Sequence, residues 1–327
     1  MTEPKPATSG SALASPVPGI DGMIPAPGGL FDPTTEAGLE VQARSQWSYA
    51  RKRFLRHHLA IGGLIALVIV FGAGALANVI APYAYDQIDL NHVLIGPTTS
   101  GHHFFGTDNI GRDYFSRVVF GIRTSAEVGL SVAFLSSIIG LFVGAFAGYY
   151  GGWFDNILMR ITDLVLTLPI LAVLATAAAL LGQGSEWRVA AILAFFFWTG
   201  LARIVRGIFL SLREKEYVEA AKAAGSGDMR IMFRHILPNT LGPIIVNGTL
   251  AVAAAILIEA ALSFLGFGIK PPTPALGALI ADGQQNPQQW WITVFPGLTI
   301  VIIVMAINFV GDGLRDALDP TQRRVRA

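Results

Sequence analysis

Residues 211–238 read SLREKEYVEAAKAAGSGDMRIMFRHILP. The first half is rich in Glu, Lys, Ala and Arg, which cost least in a helix. Tyr217, Ala220, Ala221 and Ala224 fall on one helical face. Lys215, Glu219 and Lys222 fall on another, at i,i+4 and i,i+3 spacing that favours ion pairing. Gly225 stops the helix, since glycine takes the left-handed C′ conformation without strain. Ser226 then offers an N-cap to a second short helix ending near Arg234 or His235. Pro238 opens a long apolar run, at the helical position where a missing N–H costs least. The segment is a polar helix–break–helix set between two apolar runs, and that setting decides the fold.

Working outward, six apolar runs stand at about 59–81, 125–150, 157–181, 188–210, 239–268 and 290–313. Each approaches the ~20 residues that cross ~30 Å of hydrocarbon as a helix. Only 14% of the 327 residues are charged, 53% are hydrophobic, and mean hydropathy is +0.55. A soluble domain carries about 25% charged residues. Spans this apolar are helices or a closed barrel, and the alternating barrel pattern is absent. The expected class is an all-α membrane protein with six transmembrane helices. Gly140, Gly144 and Gly148, at i, i+4, i+8, form a stripe that lets a neighbouring backbone approach. Pro169 and Pro296 are expected to kink spans three and six.

Basic residues orient the spans. With the N-terminus inside, 18 of the 23 Lys and Arg lie on the cytoplasmic side or at cytoplasmic helix ends. The exceptions are Arg112, Arg117, Arg123, Arg188 and Lys270. Both termini are therefore expected in the cytoplasm. Residues 1–46, rich in Pro, Ser, Ala and Gly, read as a disordered cytoplasmic tail without a secretory signal. The rest divides into a basic anchor and first helix (47–81), an extracytoplasmic loop (82–124), a five-helix core (125–315) and a C-terminal tail (316–327). The net charge of +1 gives no ground for a nucleic-acid partner, and the absence of cysteine excludes disulfides and thiol chemistry.

Glu219-Ala220-Ala221, then Gly225, then Leu237-Pro238 resembles the EAA loop of ABC importer permeases, with His235 at the position that usually holds Ile. From pattern alone, a helix lying on the membrane surface remains the alternative. The resemblance covers about 51–320 and implies the type I ABC importer permease fold. It makes Glu219, Ala220, Ala221, Gly225, His235, Leu237 and Pro238 the contact with a cytoplasmic ATPase. The chain has no G-x-x-x-x-G-K-[ST] phosphate loop, so no cofactor is expected in it. ATP and Mg2+ would belong to two partner ATPase domains, separate or fused.

The outer loop carries Phe105-Gly106-Thr107-Asp108-Asn109-Ile110-Gly111-Arg112-Asp113. Gly106 and Gly111 permit tight backbone, and Asp108 suits an Asx turn or an N-cap. Arg112 and Arg117 are placed to pair with Asp108 or Asp113, ahead of an amphipathic helix at 113–122. The motif FGTD-x-x-GRD-x-x-SR, GWFDNILMRITD at 152–163 and EAALSFLGFG at 259–268 are similar to the second permease of dipeptide, oligopeptide and nickel importers. That resemblance implies a homologous second permease, an extracytoplasmic substrate-binding protein and a place in the bacterial plasma membrane. The outer loop is then a candidate docking element.

Glu259 lies in span five, where a charge is costly unless it faces the bundle interior or water. It is a candidate for the translocation path, or a hydrogen-bonding group between helices. Asp163 and Arg160 are spaced to pair. Arg203 and Arg206 are near enough to a helix end to snorkel. His102 and His103 are adjacent but weak as metal ligands, and no catalytic or metal-binding set is expected. A permease of an ATP-driven peptide importer is the leading reading. A nickel or other small-solute importer shares its motifs. An autonomous secondary transporter leaves 211–238 unexplained, and a membrane enzyme lacks a convergent catalytic set.

Overall fold

The computed structural model describes residues 46–181 and 185–318. The expected N-terminal tail falls outside these residues but for its last, as do residues 319–327 of the C-terminal tail. The described residues are helical, with no strands.

A short basic helix α1 (Gln46–Phe54) precedes α2 (His58–Ala75), and α3 (Ala77–Ile80) follows after a break at Leu76. After the outer loop comes α4 (Tyr114–Tyr150), then α5 (Gly152–Thr167), α6 (Ile170–Leu181) and α7 (Glu186–Leu212). The polar segment holds α8 (Glu216–Ala223) and α9 (Asp228–Arg230), which runs through a π turn into α10 (Leu237–Phe264). Two helices close the chain, α11 (Leu276–Gln285) and α12 (Trp290–Leu318). Five helical stretches are long and apolar enough to cross a membrane, and α5 with α6 makes a sixth if that bent pair counts as one span.

The packing registers decide whether it does. A Cβ on Gly140 would meet the Trp198 carbonyl at 2.7 Å, one on Gly144 the Ala202 carbonyl, and one on Gly148 the Arg206 carbonyl at 2.6 Å. The constant offset means that α4 and α7 run parallel, in contact along the glycine stripe. The chain leaves α4 at one end of the bundle and enters α7 at the other, so α5 and α6 together make one crossing. The expected kink at Pro169 is a break of 82° between two helices. Leu168 is extended (ψ 132°), as the residue before a proline prefers.

Two other pairs of neighbours are antiparallel. Ser125, Gly129 and Ser137 of α4 meet Glu259, Ile256 and Gly248 of α10 in turn. Ala60 and Gly63 of α2 meet Gly313 and Ala306 of α12. The core has three apolar clusters. One joins α4, α10, α11 and α12, one joins α4, α7 and α10, and one lies under the polar segment. Large apolar side chains such as Val68, Ile69, Phe134 and Leu164 are each about two-thirds exposed, which suits helices solvated by lipid.

The structure adds to the sequence expectations in three places. The amphipathic helix expected at 113–122 is the first part of α4, which runs unbroken for 37 residues. Gly121 lies within it, and Leu276 of α11 packs directly against that glycine. Helix α11 lies between the fifth and sixth expected spans, and Leu276, Leu279, Ile280 and Gly283 carry the i, i+3, i+4, i+7 spacing of a helix face. Pro243 sits inside α10 as Pro296 sits inside α12, and only the second was expected.

Candidate functional site

Within 211–238, α7 claims Ser211 and Leu212, so the alanine-rich helix is only the eight residues of α8. Gly225 ends it as expected. Its φ is +78°, its N–H reaches the Lys222 carbonyl at 2.9 Å, and the Ser226 N–H reaches Ala221 at 3.0 Å. This pair of bonds is a Schellman motif. Gly227, not Ser226, takes the N-cap position of α9. The π turn at Ile231–Ile236 joins α9 to α10 without a second break. There the Leu237 N–H bonds back to Met232, five residues rather than four, and Pro238 with no N–H follows. The extra residue lets the helix pass the proline.

The polar segment is fixed from below. Val218 is fully buried and shares a cluster with Phe209, Ile231, Met232 and Ile236. Tyr149 Oη donates to Asp228 Oδ1 at 2.7 Å. Arg213 Nη1 donates to the Gly148 and Tyr149 carbonyls at 3.3 and 3.2 Å, capping the end of α4. Lys222 lies 5.9 Å from the Tyr149 ring centroid. Neither Lys215 nor Lys222 forms the expected ion pair with Glu219 among the described residues. Lys222 turns towards the aromatic ring instead.

What faces outward is the face the motif marks. Tyr217, Glu219, Ala220, Ala223, Ala224 and Gly225 are exposed, and Ala221 is half-buried. Burial pushes the Tyr217 hydroxyl above its ordinary pKa, against a hydrogen bond from Asn239 that lowers it. His235 and Leu237 are half-buried and Pro238 is exposed. The His235 carbonyl accepts from Asn239 Nδ2 at 2.9 Å.

The outer-loop motif lies inside the loop rather than on its surface. Gly106, Thr107, Asp108, Gly111 and Asp113 are buried and Arg112 is half-buried. Asp108 organises it. Its Oδ1 accepts the N–H groups of Ile110 and Arg112 at 3.0 and 2.9 Å, the expected Asx turn. Its Oδ2 accepts Arg112 Nε at 2.6 Å and Arg117 Nη1 at 2.8 Å. Arg117 Nη1 also reaches Asp282 of α11 at 3.2 Å. Asp113 is the N-cap of α4, accepting the Ser116 N–H and Oγ, each at 2.7 Å. Gly106 and Gly111 have φ of +78° and +79°. A Cβ on Gly111 would fall on the Asp89 carbonyl oxygen. Trp291 Nε1 donates to the Thr107 carbonyl at 3.3 Å, tying the loop to α12.

His102 and His103 part company. His102 is exposed, while His103 is buried with Nδ1 2.9 Å from Asp113 Oδ1 and its ring stacked on Tyr83. The His92 ring beside Asp89 holds that carboxyl below its ordinary pKa. Within the loop itself, Ile88, Leu90, Val93 and Phe104 are exposed apolar side chains, none of them in the motif core 106–113.

Glu259 is completely buried. Its Oε1 accepts from Ser263 Oγ at 2.7 Å and its Oε2 from Ser125 Oγ at 3.2 Å. Both oxygens are occupied between α4 and α10, so a path role for Glu259 requires those helices to separate. The expected Arg160–Asp163 pair does not form. Asp163 Oδ1 accepts instead from Arg203 Nη2 of α7 at 2.6 Å, and Arg206 holds Asp155 with a two-pronged contact. A guanidinium from the facing helix meets the carboxylate head-on, which a residue three along the same helix does not.

Parallel α4 and α7, antiparallel α10 and a short exposed helix between two spans define a polytopic helical membrane protein. Residues 140–324 match the family described as the inner membrane component of binding-protein-dependent transport systems. Residues 45–97 match the N-terminal transmembrane domain of oligopeptide transport permease C. The oligopeptide transport system permease protein OppC of Haemophilus influenzae is 41% identical over 286 residues, 87% of this chain and 92% of that protein. The proteins of the same name from Escherichia coli and Mycobacterium tuberculosis are each 40% identical, covering 87% and 84% of this chain and 94% of their own lengths. A solved structure of the MetNI methionine ABC transporter, in inward-facing conformations, aligns with TM-score 0.49 and 20% identity over 62% of this chain and 96% of its own. This chain belongs to the family of binding-protein-dependent transport system inner membrane components. The resemblance to ABC importer permeases read from its motifs holds.

Proposed function

We propose that this chain is a permease subunit of an ATP-driven importer of oligopeptides in a bacterial plasma membrane. The observation that carries the mechanism is α8. It is an eight-residue helix anchored through Val218 while Glu219, Ala220 and Ala224 stay exposed. Such a helix is rigid enough to transmit a push and small enough on its free face to enter a partner's cleft. ATP binding in two partner ATPase domains draws α8 of this chain and its counterpart in a homologous permease together. Because α9, the π turn and α10 are continuous, and Val218 of α8 packs on Ile231, Met232 and Ile236, movement of α8 is passed to a membrane span through that cluster and the short Gly225 turn.

Charge supports the orientation. Arg51, Lys52 and Arg53 of α1, Lys222, Arg230 and Arg234 of the polar segment, and Arg315 of α12 stand at α8's end of the bundle. An excess of Lys and Arg marks the cytoplasmic side, so both termini are cytoplasmic. The outer loop then faces the extracytoplasmic binding protein, with Ile88, Leu90, Val93 and Phe104 as its apolar contacts and the buried motif holding their shape. Peptide is favoured over nickel as cargo by the named relatives.

The test is reconstitution with the partner permease, ATPases and binding protein. Wild type should take up labelled oligopeptide only with ATP and binding protein, and Ni2+ should not compete. Ala220→Trp should release the ATPase in mild detergent while the helical far-ultraviolet spectrum stays unchanged. Full ATPase retention by Ala220→Trp would overturn the coupling role of α8.

A further inference from the structure

Helix α5 has three faces. Thr162 and Val165 are buried against the rest of the bundle. Phe154, Ile157, Ile161 and Leu164 form an exposed apolar face. Asn156, Arg160, Asp163 and Thr167 form a third face, also exposed. At 3.6 residues per turn these four lie within about 60° of one another. Arg203 of α7 continues the polar face through its bond to Asp163. Beside it, Gly200 and Gly207 have open space where a Cβ would stand. Arg160 forms no ion pair among the described residues.

Depth makes this face costly in lipid. Asp163 stands eleven residues into α5 and Arg203 nine residues before the end of α7. At 1.5 Å per residue these are about 16 and 13 Å from the helix ends, more than two turns inside stretches apolar enough to cross a membrane. A charged side chain inside a span costs up to about 2.5–3.5 kcal/mol on insertion scales. A second feature lies on the same helix. The chain breaks at Leu168, which is exposed, and α6 leaves at 82°. Non-helical backbone at that depth is tolerated only inside protein or beside water.

We infer that the polar face of α5, formed by Asn156, Arg160, Asp163 and Thr167 with Arg203 of α7, lines a water-filled path through the assembled transporter, where the Arg160 guanidinium meets the carboxylate of the passing peptide. The carboxylate assignment rests on the peptide reading above; the path does not.

The chain has no native cysteine, so single substitutions report directly. Asn156→Cys, Arg160→Cys and Thr167→Cys, with Ile157→Cys and Leu164→Cys as controls, are made in the complete transporter. Each variant is treated with a membrane-impermeant cationic methanethiosulfonate, and labelling of this chain is read by mass. ATPase retention checks assembly. The polar-face positions should label at least ten times faster than the controls in one nucleotide state. Saturating peptide with a free C-terminus should slow labelling at 156 and 167 in the presence of Arg160, and a C-terminally amidated peptide should protect less. Equal labelling of both faces, or none at the polar face with or without ATP, would overturn the path. Equal protection by free and amidated peptide would overturn the role of Arg160. Failure of the peptide reading itself would appear separately, as wild-type transporter that takes up no peptide with ATP.

Discussion

Asp108→Asn removes charge from the most heavily used carboxylate in the outer loop. Asparagine keeps an oxygen for the Ile110 and Arg112 N–H groups, so the Asx turn survives. It places an amide N–H2 where Oδ2 met two guanidinium groups at 2.6 and 2.8 Å. Breaking a buried ion pair by removing one partner costs ~3–5 kcal/mol, because the other charge stays buried. Arg117 is that other charge, its side chain only 4% exposed. Two features pull the value to the low end: Asp282 still reaches Arg117 at 3.2 Å, and the Arg112 side chain is 15% exposed. The expected loss is about 3 kcal/mol. Asp108→Ala should lose more, by about 1 kcal/mol for each forfeited backbone bond. The decisive comparison is Asp108→Asn with Arg117→Met. The double variant no longer buries the orphaned guanidinium and should be more stable than Asp108→Asn alone. Thermal unfolding in detergent, with protease sensitivity of 98–118 as a local probe, measures the cycle. Additive losses in the double variant, or a wild-type melting curve for Asp108→Asn, would refute Asp108 as the organiser of the loop.

Gly144→Ala sets overpacking of about 1–3 kcal/mol against up to ~1 kcal/mol gained in helix propensity. With the Ala202 carbonyl, Val205 Cβ and Arg206 N all against the new methyl, it should melt below wild type. Gly72→Ala, with nothing within 4 Å, should not. Val218→Ala should loosen α8 by about 2 kcal/mol and lower peptide uptake per ATP hydrolysed, measured on one reconstituted sample. Tyr149→Phe removes the bond to Asp228 and should cost about 1 kcal/mol, with hydrogen exchange rising selectively at 226–230. Glu259→Gln should stay within about 1 kcal/mol of wild type in thermal melts. Glu259→Leu should fall further, because Ser125 and Ser263 lose their acceptor.

The sequence by itself determined the class of the molecule. Backbone in lipid must satisfy its own hydrogen bonds, so long uncharged runs have one reading, and the polar break at 211–238 is as legible as the spans around it. Local chemistry was equally plain. Gly225 reads as a helix stop because the left-handed conformation is a property of one residue, and Asp108 reads as an Asx turn because the N–H donors to its carboxylate lie two and four residues away. The glycine stripe of α4 announced a close neighbour without saying which. Only the tertiary structure named α7, made it parallel to α4, and so turned the broken pair α5–α6 into one crossing. It also chose Arg203 over Arg160 for Asp163, drew α11 against Tyr114 and Gly121 of α4, and buried the outer-loop motif that spacing alone left open to solvent. These outcomes depend on which side chains meet across tens or hundreds of residues, and that is fixed by packing. The segment at 211–238 shows both kinds of knowledge. Its break is written in Gly225, while the passage from α9 into α10 follows from how Met232, Leu237 and Pro238 share the turn between them.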